Sequence, residues 1–467
     1  MFWILGIIYI AMILAVILLE RKNPTEALLW VIILVCLPYA GMILYLIFGD
    51  TMSIKLTAYI RKKRLAKFKP EIYKPSEENG FYDELSEEDI EVIKFNNNYN
   101  NSELTSYDDI QIFITGESHY RKLFEDIKNA KECLYIEFYT IHNDVMGHAL
   151  VDALTKKAKE GVKVLVLCDF FANMSTPNKM FKPLREAGAK VIRVKPFFTH
   201  YRSHRKIVTI DHKIAYIGGM NIGKQYANMA KKKNPWRDTQ VRMTGACLRT
   251  LDEYFLTDFI CSVYKRDFND TVEYINSLQH PQYQNTNKLC QFVVGGVDTN
   301  KESVKMCYLS MIRSAKKYIR IQSPYFIPDT SVLDALKTAL AAGVKIDLMI
   351  PGIKASFFLD PVTTYYAGQL LEYGAHVYKY HGYIHAKTMV IDDELCQVGS
   401  VNMDMRSLMV DDEVCGVFYH NDMVKKYKEI FINDIKSCDE YTYDEYLNRD
   451  NKEKIAESIF TLFAPLM

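Results

Sequence analysis

Two long apolar runs open the chain before any alternating pattern begins. FWILGIIYIAMILAVILL, residues 2–19, is about long enough to cross a bilayer as a helix. ALLWVIILVCLPYAGMILYLIF, residues 27–48, is longer but carries Pro38 and Gly41, so a shallow re-entrant hairpin competes with two full spans. The first run has no basic leader and no small-residue cleavage site, and a second apolar run follows it, which argues against a cleaved signal peptide. A two-pass hairpin over residues 1–50 is the expectation.

Beyond residue 105 the pattern changes to apolar runs rich in Val, Ile and Tyr that alternate with helix-periodic stretches. LYIEFYTI, KVLVLCDF and KVIRVKPF read as strands between the helices SHYRKLFEDIKNAK, GHALVDALTKKAKEG and NKMFKPLREAG. YIRIQSPYF, KIDLMIPG and HVYKYHG then replay that order between SVKMCYLSMIRSAKK, TSVLDALKTALAAG and VTTYYAGQLLEYG. His204, Lys206, Asp211 and Asn221 recur as His385, Lys387, Asp392 and Asn402, each 181 positions on. That offset is too long for a solenoid repeat, so the copies are whole domains. The predicted fold is α/β: two homologous domains of mixed sheet flanked by helices, related by a pseudo-two-fold. Residues 1–50 form the hairpin, 51–105 a basic juxtamembrane and acidic, Asn-rich linker, 106–285 the first domain and 286–467 the second. The closing IAESIFTLFAPLM has a spacing that fits either packing on the body or lying in a membrane interface.

Composition narrows this picture without redirecting it. The 467 residues are 49% apolar and 25% charged, a globular profile, with a net charge of only +1 that announces no nucleic-acid partner. Charge placement is more telling. Lys55, Arg61, Lys62, Lys63, Arg64, Lys67 and Lys69 follow the second apolar run, while the loop before it balances Arg21 and Lys22 against Glu20 and Glu26. The positive-inside bias puts everything after residue 50 in the cytoplasm. The ten cysteines show no C-x2-C pair and there is no His cluster at zinc spacing, so reduced, buried thiols are expected.

The chemistry lies in the duplicated stretches SHRKIVTIDHKIAYIGGMNIG and HAKTMVIDDELCQVGSVN. Residues two apart on a strand share a face, so His204 projects with Lys206 and His385 with Lys387. A lysine beside each histidine would repel a metal cation and suits an anion; with Asn221 and Asn402 the set offers donors for one phosphate. Facing imidazoles with a near-neutral pKa can divide the work, one attacking phosphorus while the other protonates the departing alkoxide. Each histidine needs an acid on its other ring nitrogen, for which Asp238 and Glu413 are candidates and Asp411 and Asp412 compete. Asp211 and Asp392 fall in DHK and DDE, which read as hairpin turns.

These paired His-x-Lys-x4-Asp signatures, followed by GGMN and GSVNMDMRS, resemble those of the phospholipase D superfamily. With the apolar hairpin, YRSHRKIVTID, PWRDTQVRMTG, SPYFIPD and HGYIHAKTMVIDDELCQVGSVNMDMRS, the chain is similar over nearly its whole length to the bacterial cardiolipin synthases of that type. The resemblance implies transphosphatidylation in the bacterial cell membrane. Two phosphatidylglycerols would give cardiolipin and glycerol through a phosphatidyl-histidine, with no metal or organic cofactor. It implies His204 as nucleophile and His385 as acid and then base, with Asp211 and Asp392 counted in the catalytic signatures; Lys206, Lys387, Asn221 and Asn402 match phosphate-binding positions. Asp411-Asp412-Glu413 stands where an Asn-Phe-Glu run is expected, and Gly399-Ser400 replaces the first copy's Gly-Gly. Hydrolysis, or transfer from another phospholipid or to another alcohol, shares the same motifs. An inactive lipid-binding scaffold is the remaining reading outside enzymes.

Overall fold

The computed structural model describes residues 2–19, 24–48, 50–66, 85–195, 202–229, 235–297, 299 and 302–464. The loop charges at 20–22, Lys67, Lys69 and the acidic stretch up to residue 84 lie outside that set. Two mixed sheets carry the body. The seven strands of the first run in the order Ile110–Phe113, Gln240–Met243, Ile214–Gly218, Ile207–Ile210, Cys133–Phe138, Lys163–Asp169, Lys190–Val194. The last three are mutually parallel and every other pairing is antiparallel. Within the nine-stranded second sheet, Leu395–Gly399, Thr388–Ile391, Tyr318–Gln322, Lys345–Pro351 and His376–Tyr380 repeat that order with the same two parallel pairings. The duplicated pattern is thus a duplicated topology.

Both faces of the central strands, such as Cys133–Phe138 and Ile207–Ile210, are buried, which explains why they read as near-continuous apolar runs. In Cys133–Phe138, Leu134, Ile136 and Phe138 join the core under the first half's helices, while Cys133 and Tyr135 point to a second core. That second core is shared: Ile207, Ile217 and Val241 of the first sheet meet Phe292, Val398, Val414 and Phe418 of the second. Helix Cys247–Ser262 fills the same layer. The two halves therefore form one packed body, and the ends of their strands are held in fixed relation.

Several expected elements are cut differently. YIRIQSPYF forms two strands, Tyr318–Gln322 and Phe326–Ile327, because Pro324 in the middle has no N–H for a ladder. NKMFKPLREAG is a 3-10 turn followed by a five-residue helix, Lys182–Glu186, with Pro183 in its first turn. The Asn-rich part of the linker is the end of a helix, Glu87–Asn100, whose Ser86 side chain accepts the Asp89 N–H and whose first turn is acidic. Val92 and Ile93 of that helix enter the second half's core. Strand Thr105–Ser106 pairs with Leu289 and Cys290 of the second sheet, so the chain joins the second half before it builds the first.

At the N-terminus helices α1 (Phe2–Leu19), α2 (Pro24–Cys36) and α3 (Pro38–Phe48) precede the basic helix α4 (Asp50–Leu65). The second apolar run bends at Leu37, as Pro38 requires, and a Cβ on Gly41 would meet the Ile33 carbonyl oxygen at 2.8 Å. Among the described residues no helix is long and apolar enough to cross a membrane. Helix α4 is tied firmly to the body. Arg61 donates to Asp258 at 2.5 Å and to Asp412 at 2.8 Å, and Arg205, next to His204, shares Asp258. Arg61 is buried, so Arg61→Ala takes the close partner from Asp412 and leaves Asp258 to Arg205 alone, and should cost about 3–5 kcal/mol in an unfolding titration. A change below roughly 1 kcal/mol, the range of exposed pairs, would mean that α4 docks by apolar packing alone.

Candidate active site

The two duplicated stretches meet at the junction of the halves, and their backbones are clamped crosswise. The Ser203–Asp412 bridge and the His204 N–H donating to the Asp412 carbonyl at 2.9 Å lay the first motif along the segment that carries Glu413. Tyr383 and Ile384 pair in parallel with Trp236 and Arg237, and the His385 N–H donates to the Arg237 carbonyl at 2.6 Å, beside Asp238. His204 and Lys206 therefore precede strand Ile207–Ile210 instead of lying on it, and His385 and Lys387 sit between Tyr383–Ile384 and Thr388–Ile391. The reason is that their main chain is engaged by the other half.

Each histidine is held by the acid of the opposite copy. His204 Nδ1 lies 2.8 Å from Glu413 Oε1, and His385 Nδ1 lies 2.6 Å from Asp238 Oδ2. Asp411 instead accepts from the Arg202 N–H and from Arg406, and Asp412 binds Arg61. Arg237, buried and bonded to Asp434 of the second half at 3.0 Å, fixes the strand that presents Asp238. The Gly-to-Ser difference between the copies now has a physical account. The Ser400 hydroxyl donates to Glu413 Oε2, whereas a Cβ at Gly219 would come within 2.2 Å of Asp238 Oδ1. Gly219→Ala should push Asp238 off its hydrogen bond and lower kcat by roughly 10–100-fold, the usual effect of losing an orienting contact. Unchanged kcat with wild-type stability would show that Asp238 has room to move.

A cavity of about 370 Å³ is lined by His204, His385, Asn221, Asn402, Arg202, Arg406, Tyr139, Tyr226, Tyr325 and hydrophobic Ile327 and Leu359, among others. Asn221 accepts the Thr140 N–H and donates to the Tyr226 hydroxyl, while the buried Oδ1 of Asn402 has no hydrogen-bond partner among the described residues. Lys206 and Lys387 are buried behind the histidines, each donating from Nζ to the carbonyl of its own histidine. Asp211 and Asp392 stand apart from this cavity. Both have positive φ in hairpin turns, as expected from DHK and DDE, and both accept main-chain N–H groups. Asp211 takes those of Lys131, Glu132 and Cys133, and Asp392 those of Lys316, Lys317 and Tyr318. Their geometry is that of a fold anchor, not of a group that touches substrate.

Sequence reading missed the arginines and aromatic rings around the histidines. Arg202 stands two residues before His204 and Arg406 follows NMDM, so both were within quoted motifs. Tyr139 meets the His204 ring edge-on at 4.7 Å, and Trp236 lies 5.3 Å from the ring of His385. Such walls exclude water, and burial sets the electrostatics. It lowers His204 well below the usual histidine value, helped by the Lys206 and Lys387 ammonium groups, and it lowers His385 to about 4. It also lowers Lys206 to about 7 and Lys387 to about 8, and raises Glu413 to about 7. Burial thus favours the neutral form of both rings in the resting site, beyond the balance expected of imidazoles near neutrality.

Among the described residues the one histidine–carboxylate group tight enough for a metal ion is His212, Asp252 and His280, with ligand atoms within 4.8 Å. None of them lines the cavity. Burial opposes the His212 charge, but Asp252 at 2.7 Å and Cys133 raise it to about 10, so a buried ion pair accounts for the cluster.

Two pseudo-symmetric α/β halves that bring one histidine each to a shared cavity, each steadied by the other's acid, define a protein of the phospholipase D class. The sequence pattern described as "Cardiolipin synthase, PLD-like domain" matches residues 123–234 and again 308–435, and "Phospholipase_D-nuclease N-terminal" matches residues 2–49. The chain belongs to the phospholipase D-like cardiolipin synthase family. It is 34% identical to the cardiolipin synthase of Oceanobacillus iheyensis, covering 99% of this chain and 98% of that one. It is also 34% identical to the major cardiolipin synthase of Bacillus subtilis, covering 100% and 98%. The fold is similar to that of the phosphatidylserine synthase of Haemophilus influenzae, with a TM-score of 0.62 at 15% identity over 80% of this chain and 97% of that one.

Proposed function

We infer that this chain is a cardiolipin synthase, a phosphatidyltransferase that joins two phosphatidylglycerols and releases glycerol. The observation that carries this reading is the pair of partly buried histidines on one cavity, each with Nδ1 engaged by a carboxylate from the opposite half. With its Nδ1–H donating to Glu413, His204 presents the Nε2 lone pair to phosphorus. Attack forms the N–P bond and breaks the P–O bond to glycerol, whose oxygen takes a proton from His385 Nε2. Neutral His385 then accepts the proton of a hydroxyl on the second phosphatidylglycerol. That oxygen displaces His204 from phosphorus and completes cardiolipin. Asn221, Asn402, Lys206 and Lys387 stabilise the charge that builds on the phosphoryl oxygens, and Arg202 and Arg406 receive the second lipid's phosphate. Residues 106–285 and 286–467 act as two domains of one catalytic unit.

At rest His385 is neutral, so the acid must be charged by the substrate. A phosphodiester anion against the imidazoles, with Lys206 and Lys387 behind them, favours the protonated forms of all four groups and raises their depressed pKa values. Anion binding near pH 7.5 should therefore take up protons. Titration calorimetry with inorganic phosphate in two buffers of different ionisation heat should show uptake approaching one proton per site, and release of protons would overturn the assignment.

The apolar helices α1–α3 anchor the enzyme to the bacterial cell membrane as an embedded hairpin, with the catalytic halves on the cytoplasmic side. The charge bias after residue 50 and the exposed Ile7, Ile10, Leu28, Val35 and Ile43 support this. A cysteine placed in the 20–23 loop should stay closed to an impermeant thiol reagent added from either side, and reaction from outside the cell would make the hairpin a two-pass one. The activity itself is tested by reconstituting the full chain with phosphatidylglycerol. Cardiolipin and glycerol should appear in equal amounts, whereas phosphatidic acid without cardiolipin would make it a hydrolase and no turnover a scaffold.

A further inference from the structure

The cavity's apolar wall continues outward onto an uncovered surface. Leu359 and Ile327 line the cavity, and both belong to a small core with Val362, Ala464 and Phe460. Directly before Leu359 come Phe357, 76% exposed, and Phe358, 56% exposed. The C-terminal helix Asn451–Thr461 lies alongside, and its Phe460 ring contacts both, at 5.2 Å and 5.1 Å. Ile459 on that helix is exposed, and so are Leu462, 68%, and Phe463 directly after its end. Lys354 is exposed as well and pairs with Glu453 of the same helix at 3.3 Å. Isolated apolar side chains on a surface are ordinary, but a contiguous set with a lysine beside it, running into a lipid enzyme's cavity, is the pattern of an interfacial contact.

We propose that Phe357, Phe358, Ile459, Leu462 and Phe463 form a lip that enters the acyl layer of the membrane and gives the lipid tails a continuous apolar path from bilayer to cavity. The proposal rests on the phosphatidyltransferase reading, because only a substrate with its phosphate in the cavity and its chains outside needs such a path. A diacyl lipid then reaches the histidines without its tails crossing water. As far as Ala464, the ambiguous IAESIFTLFAPLM thus does both things its spacing allowed. One face packs on helix Leu359–Leu371 and the other meets lipid.

The full chain reconstituted in phosphatidylglycerol vesicles provides the test. Phe357→Trp is a conservative change, and its emission, taken as the difference from the wild-type tryptophans, should be quenched by lipids brominated on the acyl chains. Absence of added quenching overturns the lip, and protection of the new tryptophan from both bromolipid and aqueous iodide assigns the surface to a second protein copy instead. In parallel, Phe357→Ser/Phe358→Ser should lose at least about tenfold in rate on long-chain vesicles yet match wild type on a dispersed short-chain phosphatidylglycerol, because only the first needs tails held at the lip. Equal loss on both substrates would place these residues in the fold or the chemistry and refute the proposal. If the wild type makes no cardiolipin from either substrate, the function reading fails, while the quenching result still judges the lip.

Discussion

His204→Ala should abolish cardiolipin formation, with a fall of roughly 10⁶-fold, the scale on which removal of a covalent nucleophile is felt. His385→Ala should be nearly as inactive with phosphatidylglycerol, whose glycerol leaves poorly without a proton. The two variants part company on a phosphatidyl ester with an acidic leaving group such as nitrophenol. That group departs unprotonated, so His385→Ala should accumulate a phosphatidyl adduct visible by intact-mass measurement, and His204→Ala should not. An adduct on His385 in the His204→Ala protein would exchange the two roles. Adducts on neither, in proteins that still fold, would exclude a phosphohistidine path.

Glu413→Gln and Asp238→Asn carry the second large effect. Each leaves size and hydrogen bonding almost intact but can turn its histidine to the wrong tautomer, a change that costs about 10⁴-fold in a comparable hydrolase triad. What distinguishes this protein is which step fails. Because Glu413 serves His204 and Asp238 serves His385, Glu413→Gln should slow adduct formation from the nitrophenyl ester, as His204→Ala does. Asp238→Asn should permit the adduct and stall afterwards, as His385→Ala does. If each acid served the histidine of its own half, the two profiles would be exchanged.

Much of this was legible in the sequence because it is local. Strand and helix alternation, the 181-residue offset and the His-x-Lys pairs needed only periodicity and comparison of the chain with itself. Asp238 and Glu413 were legible as residue types near their motifs, but their pairing was not, since the crossing is created by the docking of the two halves. The same holds for Arg61: a solvated juxtamembrane charge by its neighbours in sequence, it is buried against Asp258 and Asp412, 197 and 351 residues away. Pro324 announced a break that the apolar pattern around it hid. The low values at His204 and His385 also follow from packing, which no spacing rule contains.

The exchange of acids has a consequence for inheritance. A half of this chain made by itself would keep a histidine and a lysine but leave its acid facing nothing, so neither half is a smaller working enzyme. Such a design is easiest to reach from two identical chains already exchanging acids across a two-fold, later joined end to end. In a joined chain the two copies need not be identical, and at Gly219 and Ser400 they are not: one makes room for Asp238 and the other bonds Glu413.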